Sequence, residues 1–248
     1  MTLTEFKQQH FEQQLDQSLK YGFIHNIQYR NNLYSPKVLT NNPQTGEFIL
    51  TELQNELKKA QSFCINVAFV TTTGIGMLKT QLADFKERGG HGKILVSPYL
   101  GFNDPAALYE LMKLEQVEVR MSDEKIKSHA KVYIFDHQQE QTVIVGSSNL
   151  THSAMKLNYE WNVKLTSTDN GEFIKRTTAD FEALWAESTP LTDASISAYA
   201  KNRKQMVQTD ALYDLPIVEQ DKYPVIKPNR MQQEAVTAIQ SLRQADAE

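Results

Sequence analysis

Residues Ser128–Asp136 read SHAKVYIFD, and residues Val145–Thr151 read VGSSNLT. Each segment borders a short run of β-branched and aromatic residues, a composition that is typical of strands. The polar turn Asp136–Gln141 separates the two runs, so the pattern predicts a β-hairpin of strands Lys131–Phe135 and Thr142–Val145. Polar residues of both segments therefore fall at strand ends, where they can converge.

Chemically active side chains gather at these predicted strand ends. His129 and Lys131 are two residues apart at the entry to a strand, so both side chains are expected on the same face. Ser147 and Asn149 directly follow the next strand, and Glu160 is expected to open a third strand nearby. An imidazole, an ammonium, a hydroxyl and an amide around one point suit a tetrahedral anion. A carboxylate behind them could hold the imidazole in one tautomer.

Each part of this pattern also has a simpler interpretation. An exposed strand often begins with solvated His and Lys side chains, and a GSSN turn can serve as the N-cap of a following helix. A glutamate on a strand, such as Glu160, can simply face solvent. The run TTTGIG at Thr71–Gly76 is expected to be an ordinary turn rather than a phosphate cradle. The combination in this order, at strand ends, is what favours a functional site.

The order HxKxxxxD followed by GSxN resembles the motif of the phospholipase D superfamily. The resemblance spans roughly residues 48–185. The gap between the motif's aspartate and its glycine is longer than the family's usual spacing, but it falls in a polar turn, where insertions are tolerated. The matching positions are His129, Lys131, Asp136, Gly146, Ser147 and Asn149, with Glu160 downstream.

The resemblance implies a mechanism and a role for each matching residue. In that family the motif histidine attacks a phosphodiester and forms a phosphohistidine, which makes His129 the expected nucleophile. Lys131, Ser147 and Asn149 are expected to bind the phosphate and stabilise its charge. Glu160 is expected to orient the histidine, whereas the motif's aspartate and glycine are assigned to structure. No metal or other cofactor is needed, and the sequence offers no carboxylate cluster to bind a metal.

The sequence contains one such motif, although the mechanism needs a second histidine as general acid. His137 and His152 are not part of a second HxK pattern. The resemblance therefore implies a homodimer whose active site lies across a two-fold axis, the commonest symmetry of oligomers.

Alternating segments upstream of the motif predict the fold class. Strands are expected at Ser62–Val70, Lys93–Ser97 and Val117–Met121. Helices are expected at Gly74–Arg88 and from a cap at Asn103 or Asp104, with Pro105 at the first position, through Leu114. This β-α-β order predicts an α/β fold with a mixed, largely parallel sheet and helices on both faces, as the resemblance also implies. Helical extensions are expected at both termini.

The chain is predicted to divide into four parts. Residues 1–45 are a helical and loop extension with a helix at Thr4–Leu19, and residues 46–190 are the catalytic domain. Residues 191–228 are a helix, at Ala194–Val207, and a proline-containing linker, and residues 229–248 begin another domain.

The C-terminal segment provides a second resemblance. Residues Ile226–Arg243 are similar to the segment before the phosphate-binding loop of superfamily 2 helicases, in which a glutamine reads adenine; Gln232 is the best match. An amphipathic helix with Ala235, Ile239 and Leu242 inward explains the segment equally well. Because no GxxxxGK[ST] motif occurs, we expect the chain to be the N-terminal part of a bacterial DEAD/DEAH-type helicase. ATP would then serve the missing portion alone, and DNA would be the substrate.

Composition limits how such a partner can be held. The chain has 248 residues and a net charge of −4, so its surface as a whole does not attract nucleic acid. A local cluster of Lys125, Lys127, Lys131 and Lys156 is expected to steer the DNA. One cysteine, Cys64, excludes a disulfide framework and suits a reducing cytosol. No apolar run is long enough to cross a membrane, and a cytoplasmic location is expected.

Two other functions are compatible with the motif. A catalytically silent DNA-binding and dimerisation module would keep the fold without turnover. Phospholipid hydrolysis or headgroup transfer uses the same chemistry, but it is disfavoured by the absence of a signal peptide, of a membrane-seeking helix and of a second motif.

Overall fold

A mixed β-sheet with helices on both faces organises the chain. The computed structural model describes Gln8 and residues 35–98, 101–168 and 171–210. Within these residues the sheet has eight strands, which are β1 (Lys37–Leu39), β2 (Ser62–Val67), β3 (His91–Val96), β4 (Val117–Met121), β5 (Lys131–Asp136), β6 (Glu140–Gly146), β7 (Asn162–Thr168) and β8 (Thr189–Pro190). The α-helices in the same residues are α1 (Ile49–Lys59), α2 (Thr72–Gly76), α3 (Lys79–Glu87), α4 (Pro105–Met112), α5 (Glu172–Ala186) and α6 (Asp193–Asp210).

The strand order is β1-β7-β6-β5-β2-β3-β4-β8. Strands β2, β3 and β4 are parallel neighbours joined by helical crossovers. Every other neighbouring pair in the described sheet is antiparallel. The prediction of a largely parallel sheet is therefore wrong. Its cause is that β5, β6 and β7 return on one another through a tight turn and a loop without a crossover helix, and antiparallel pairing follows from such connections.

Two apolar clusters, one on each face of the sheet, form the core. The larger cluster packs α1, α2, α3, α4 and α6 against one face, and the smaller packs α5 against the other. On the α5 side, Phe181 and Trp185 cover Ile134 of β5 and Val143 of β6. The predicted α/β arrangement with helices on both faces is thus confirmed. No described helix combines the length and apolar character that a membrane crossing requires.

Local signals explain where several helices begin. Asp104 caps α4 by accepting a hydrogen bond from Ala106 N at 2.9 Å, and Pro105 occupies the first turn, as the sequence predicts. The single helix predicted over Gly74–Arg88 is instead two helices, α2 and α3. Gly74 lies in α2, and a Cβ at this position would lie 2.2 Å from the carbonyl oxygen of Leu150. Glycine is therefore needed for α2 to pack this closely against Leu150, the residue after the GSSN loop.

The core continues beyond Pro190. Helix α6 corresponds to the predicted helix Ala194–Val207; its Ile196 is fully buried and the Tyr199 hydroxyl donates to the carbonyl of Asn103 at 3.0 Å. The predicted division into four parts stays a prediction. Apart from Gln8, the predicted helix Thr4–Leu19 lies outside the described residues, as do the segment Ile226–Arg243 with Gln232 and most of the linker.

A buried ionic cluster attaches α1 to the sheet at the end where β5 finishes. Glu56 of α1 is buried; it accepts a hydrogen bond from His137 Nε2 at 2.7 Å and another from Lys164 Nζ at 2.6 Å. Glu52 accepts a further bond from Lys164. Burial raises the pKa of Glu56, but the hydrogen bonds from His137 and Lys164 outweigh it and lower the pKa to about 2. The charged form of Glu56 therefore stabilises the folded state.

Replacing Glu56 with Gln is expected to destabilise the fold by about 2 kcal/mol at pH 7, because a buried charged partner is lost. Since the folded pKa lies below the unfolded value of about 4.3, the contribution is complete above pH ~4.3 and fades as the pH falls towards 2. Urea unfolding at pH 7 and pH 3 should show that the difference in unfolding free energy between the two proteins falls to about half at pH 3. The exposed pair Lys86–Glu115 supplies the control: Glu115→Gln should change stability by less than ~1 kcal/mol. A constant difference between wild type and Glu56→Gln across this range would contradict the account.

Candidate active site

His129 and Lys131 meet at the start of β5. Lys131 is the first residue of the strand and pairs with Val67 at the end of β2. His129 lies two residues earlier, and the Lys131 ammonium is 2.9 Å from its Nδ1 and 3.5 Å from its Nε2. The same ammonium donates to the His129 carbonyl oxygen at 2.7 Å. The sequence-based expectation that both side chains share one face is therefore met in the structure.

Phe69 forms the wall behind this pair. It follows the end of β2, and its ring meets the His129 ring edge-on, with 5.5 Å between the ring centroids. The Lys131 ammonium lies 5.8 Å from the centre of the same ring, and the Phe102 ring meets the Phe69 ring edge-on with 5.2 Å between the ring centroids. Phe69 belongs to no sequence motif and is not among the predicted site residues. Antiparallel pairing of β2 with β5 brings it beside His129, and the sequence alone does not show that pairing.

Desolvation and the neighbouring charge favour the neutral imidazole. Partial burial, and then the Lys131 ammonium, lower the pKa of His129 below its ordinary value. Burial also lowers the pKa of Lys131, while the negative charge of Glu160 opposes that shift. A neutral imidazole is the form in which histidine can act as a nucleophile. The site thus combines an imidazole that favours its neutral form with a buried cation.

The GSSN loop is fixed at the same end of the sheet. The amide oxygen of Asn149 accepts a hydrogen bond from Phe69 N at 3.1 Å, which brings Asn149 to the wall that His129 contacts. Buried Ser148 holds the loop: its carbonyl accepts from Tyr133 of β5 at 2.9 Å, and its hydroxyl accepts from Asn162 of β7 at 2.9 Å. Strands β5, β6 and β7 together therefore position Asn149.

Gly146, the last residue of β6, and Ser147 lie beside Trp161, which directly precedes β7. A Cβ at Gly146 would come 2.2 Å from the carbonyl oxygen of Trp161, so a larger residue would separate the two segments. Ser147 N donates to that carbonyl at 3.0 Å, and the Ser147 hydroxyl accepts from Trp161 N at 3.1 Å. The exposed Ser147 hydroxyl is consequently tied to the backbone of the neighbouring segment.

Glu160 lies two residues before β7 rather than opening the strand as predicted. Its carboxylate accepts a hydrogen bond from the Ser147 hydroxyl and a longer one, 3.5 Å, from the Asn158 amide. Within the described residues no hydrogen bond joins Glu160 to His129. The electrostatic effect of Glu160 on Lys131 places its charge near the site. Its role in orienting the histidine stays a prediction.

Asp136 lies at the opposite end of β5, roughly 16 Å from Lys131 at about 3.3 Å per residue. It accepts hydrogen bonds from Gln138 N at 2.9 Å and from the Gln141 amide at 3.3 Å. These bonds close the turn between β5 and β6, which is the kind of structural contact that the sequence analysis expects of it. Asp136 is therefore not brought to the site.

A match to a known family covers this part of the chain. The family model described as "Cardiolipin synthase, PLD-like domain" matches residues 53–185, more than half of the sequence. The chain belongs to the phospholipase D-like family. No curated protein sequence matches it.

Solved structures of this family share the fold. Nuc from Salmonella typhimurium, a phospholipase D family member, is 20% identical over 62% of this chain and 97% of its own, with a TM-score of 0.50. The phosphatidylserine synthase of Haemophilus influenzae Rd KW20 is 14% identical over 72% of this chain and 45% of its own, with a TM-score of 0.52. NucT from Helicobacter pylori is 20% identical over 62% of this chain and 98% of its own, with a TM-score of 0.48. At these identities the likeness to Nuc and to the phosphatidylserine synthase shows the fold alone.

The other lysines that were predicted to steer DNA lie at two places in this phospholipase D-like chain. Lys125 and Lys127 are exposed just before His129, whereas the Lys156 ammonium lies 5.7 Å from the ring of Phe48, at the start of α1. Among the residues that the structure describes, no group of three or more His, Cys, Asp and Glu side chains is arranged to hold a metal ion.

Removing the Lys131 charge is expected to raise the pKa of His129. Lys131→Met keeps a side chain of similar length but deletes the cation that, together with burial, disfavours the imidazolium. NMR titration of the His129 ring in both proteins would measure the shift. Lys125→Met removes an exposed lysine near the motif and should leave the His129 titration unchanged. A His129 pKa that falls or stays constant in Lys131→Met would contradict this electrostatic description.

Proposed function

We propose that the chain is a metal-independent phosphodiesterase that cleaves DNA through a phosphohistidine at His129. The observation that carries the proposal is the position of the His129 imidazole, in contact with the buried Lys131 ammonium and next to the wall that holds Asn149. Family membership supports phosphodiester chemistry. The ammonium and the amide would supply at this point the positive charge and donors that other phosphodiesterases obtain from metal ions.

In the first step the ring nitrogen of His129 that carries no proton attacks the phosphorus, and the bond to the leaving oxygen breaks. Negative charge then develops on the non-bridging oxygens, which draws the Lys131 ammonium from the imidazole onto the phosphate. The side-chain nitrogen of Asn149 can donate to the same oxygens, and the Ser147 hydroxyl can do so once its proton turns away from the Glu160 carboxylate. The product of this step is a phosphohistidine and an oxygen that needs a proton.

The second imidazole is proposed to come from another copy of the chain, since the sequence contains one HxK motif. The partner subunit's His129, protonated, gives its proton to the leaving oxygen. The anionic phosphate beside it raises the pKa of that imidazole and offsets the effect of Lys131. The partner subunit's His129 then takes a proton from water, the hydroxide attacks phosphorus, and the P–N bond breaks to release the product.

The substrate class has two candidates. DNA is favoured by the exposed lysines at positions 125 and 127 and by the resemblance of the C-terminal segment, with Gln232, to superfamily 2 helicases. That segment lies outside the described residues, so the helicase context and its use of ATP stay predictions. A phospholipid is the second candidate, because the matching family model is described as cardiolipin synthase and a phosphatidylserine synthase shares the fold.

Cleavage of end-labelled single- and double-stranded DNA in excess EDTA tests the proposal. We expect wild type to retain its rate in EDTA and His129→Ala to lose about 1,000-fold or more, because the nucleophile is removed. His91→Ala is the matched control: His91 is exposed at the start of β3, at the sheet end remote from the site, and its loss should leave cleavage unchanged.

Four results would contradict the proposal. Unchanged DNA cleavage in His129→Ala would exclude His129 as the nucleophile, and loss of wild-type cleavage in EDTA would exclude the metal-independent mechanism. Headgroup release from phosphatidylglycerol vesicles without DNA cleavage would favour the phospholipid. Salt-sensitive DNA binding without turnover of either substrate would indicate a catalytically silent module.

A further inference from the structure

The side chain of Asn103 binds the backbone on both sides of Phe69. Its amide nitrogen donates to the carbonyl oxygen of Ala68 at 3.0 Å, and its amide oxygen accepts from Val70 N at 2.8 Å. The same amide nitrogen donates to the carbonyl oxygen of Ser97 at 2.8 Å. Asn103 is fully buried, and its partners, two carbonyl oxygens and one N–H, fix the orientation of its amide.

The GSSN loop and the residue after it bind the other polar groups of the same backbone. Phe69 N donates to the Asn149 side chain at 3.1 Å, and the Phe69 carbonyl oxygen accepts from Leu150 N at 3.1 Å. With the two bonds to Asn103, all four polar groups of the peptides that flank Phe69 are hydrogen-bonded. The position of the Phe69 backbone therefore depends on two side chains, those of Asn103 and Asn149.

Helix α6 anchors Asn103 in turn. The Tyr199 hydroxyl donates to the Asn103 carbonyl oxygen at 3.0 Å, and Arg203 Nε donates to the carbonyl oxygen of Gly101 at 2.7 Å. The family model matches residues 53–185, whereas α6 covers Asp193–Asp210. The wall of the candidate active site is thus connected to a helix outside the part of the chain that matches the family.

We infer that Asn103, anchored by α6, is a positioning residue that holds Phe69 against the imidazole of His129. Asn103 acts through the Phe69 ring, which meets the His129 ring edge-on. A buried amide whose groups are all paired resists displacement, because any shift leaves buried polar groups unsatisfied. The inference goes beyond the proposed function and rests on it only for the expected effect on cleavage.

The position of Phe69 affects both chemical parts of the site. Its ring shields one side of the imidazole from water, in agreement with burial as the largest cause of the lowered pKa of His129. Its backbone N–H holds the oxygen of the Asn149 amide, so a shift of Phe69 would also move the group that is proposed to bind the phosphate. A misplacement of about 1 Å that originates away from the reacting atoms can reduce the rate about 100-fold.

Asn103→Ala tests the inference through NMR titration of the His129 ring. Truncation removes the hydrogen bonds to the Ala68 carbonyl oxygen and to Val70 N, so Phe69 is expected to move away from the imidazole. We expect the pKa of His129 to rise towards its ordinary value, because burial is the main cause of its depression. The turnover number for DNA cleavage should fall by about 10- to 100-fold.

Ile174→Ala is the matched control. Ile174 is fully buried on α5, at the opposite face of the sheet, so its truncation should lower the stability against urea and leave the His129 pKa unchanged. A purely structural role of Asn103 would likewise change stability without changing this titration in the folded protein. Tyr199→Phe deletes the hydroxyl that binds Asn103 but keeps the ring in the core. It should raise the His129 pKa by a smaller amount, and it carries the test should Asn103→Ala misfold.

An unchanged His129 pKa in folded Asn103→Ala would overturn the inference, whatever the rate of cleavage; for a misfolded Asn103→Ala, an unchanged pKa in Tyr199→Phe would do so. An equal rise in Ile174→Ala would assign the effect to lost stability and would also overturn it. The titration needs no substrate, so it decides the inference even if His129→Ala still cleaves DNA. That result would refute the proposed function alone.

Discussion

The antiparallel register of β5 determines where every side chain of the site lies. Pairing of Lys131 with Val67 places the start of β5 at the sheet end where β2 finishes, so His129 reaches the wall formed by Phe69. Pairing of β5 with β6 brings the end of β6, and with it Asn149, to the same place. A slip of one residue would turn Lys131 and the segment that carries His129 towards the α5 face, away from the wall formed by Phe69. Core packing on both faces of the sheet opposes such a slip.

Within that frame, the site depends on a balance of charge. The Lys131 ammonium is desolvated and touches an imidazole, two conditions that favour loss of charge on both groups. The nearby carboxylate of Glu160 offsets part of this effect on Lys131, and its own hydrogen bond from Ser147 fixes its position. The result is a cation kept beside a neutral imidazole. Such an arrangement is suited to a phosphate group, because the ammonium and the imidazole can both interact with it.

The sequence predicted the elements and the nearness of His129 to Lys131, because composition, caps and period-two alternation are local properties. Strand direction is not local: a helical crossover and a hairpin have the same strand pattern, which explains why the sheet was expected to be largely parallel. The hydrogen bond from Phe69 N to the Asn149 side chain depends on the pairing of strands that are distant in sequence, so no sequence motif could predict it. Likewise, the attachment of Glu160 to Ser147 and the exposure of Val163 follow from the register of β6 and β7. Local patterns alone could not show these contacts.

The central claim is that His129 becomes covalently attached to the phosphate during turnover. The most direct measurement is rapid quenching of the protein with a 5′-phosphate-labelled oligonucleotide in EDTA, followed by mass spectrometry of peptides kept at alkaline pH. The account predicts an acid-labile phosphoryl adduct on the peptide that contains His129, formed within a single turnover and absent from Lys131→Met or greatly slowed in it. An adduct on a different residue, or cleavage without any adduct at His129, would contradict the account.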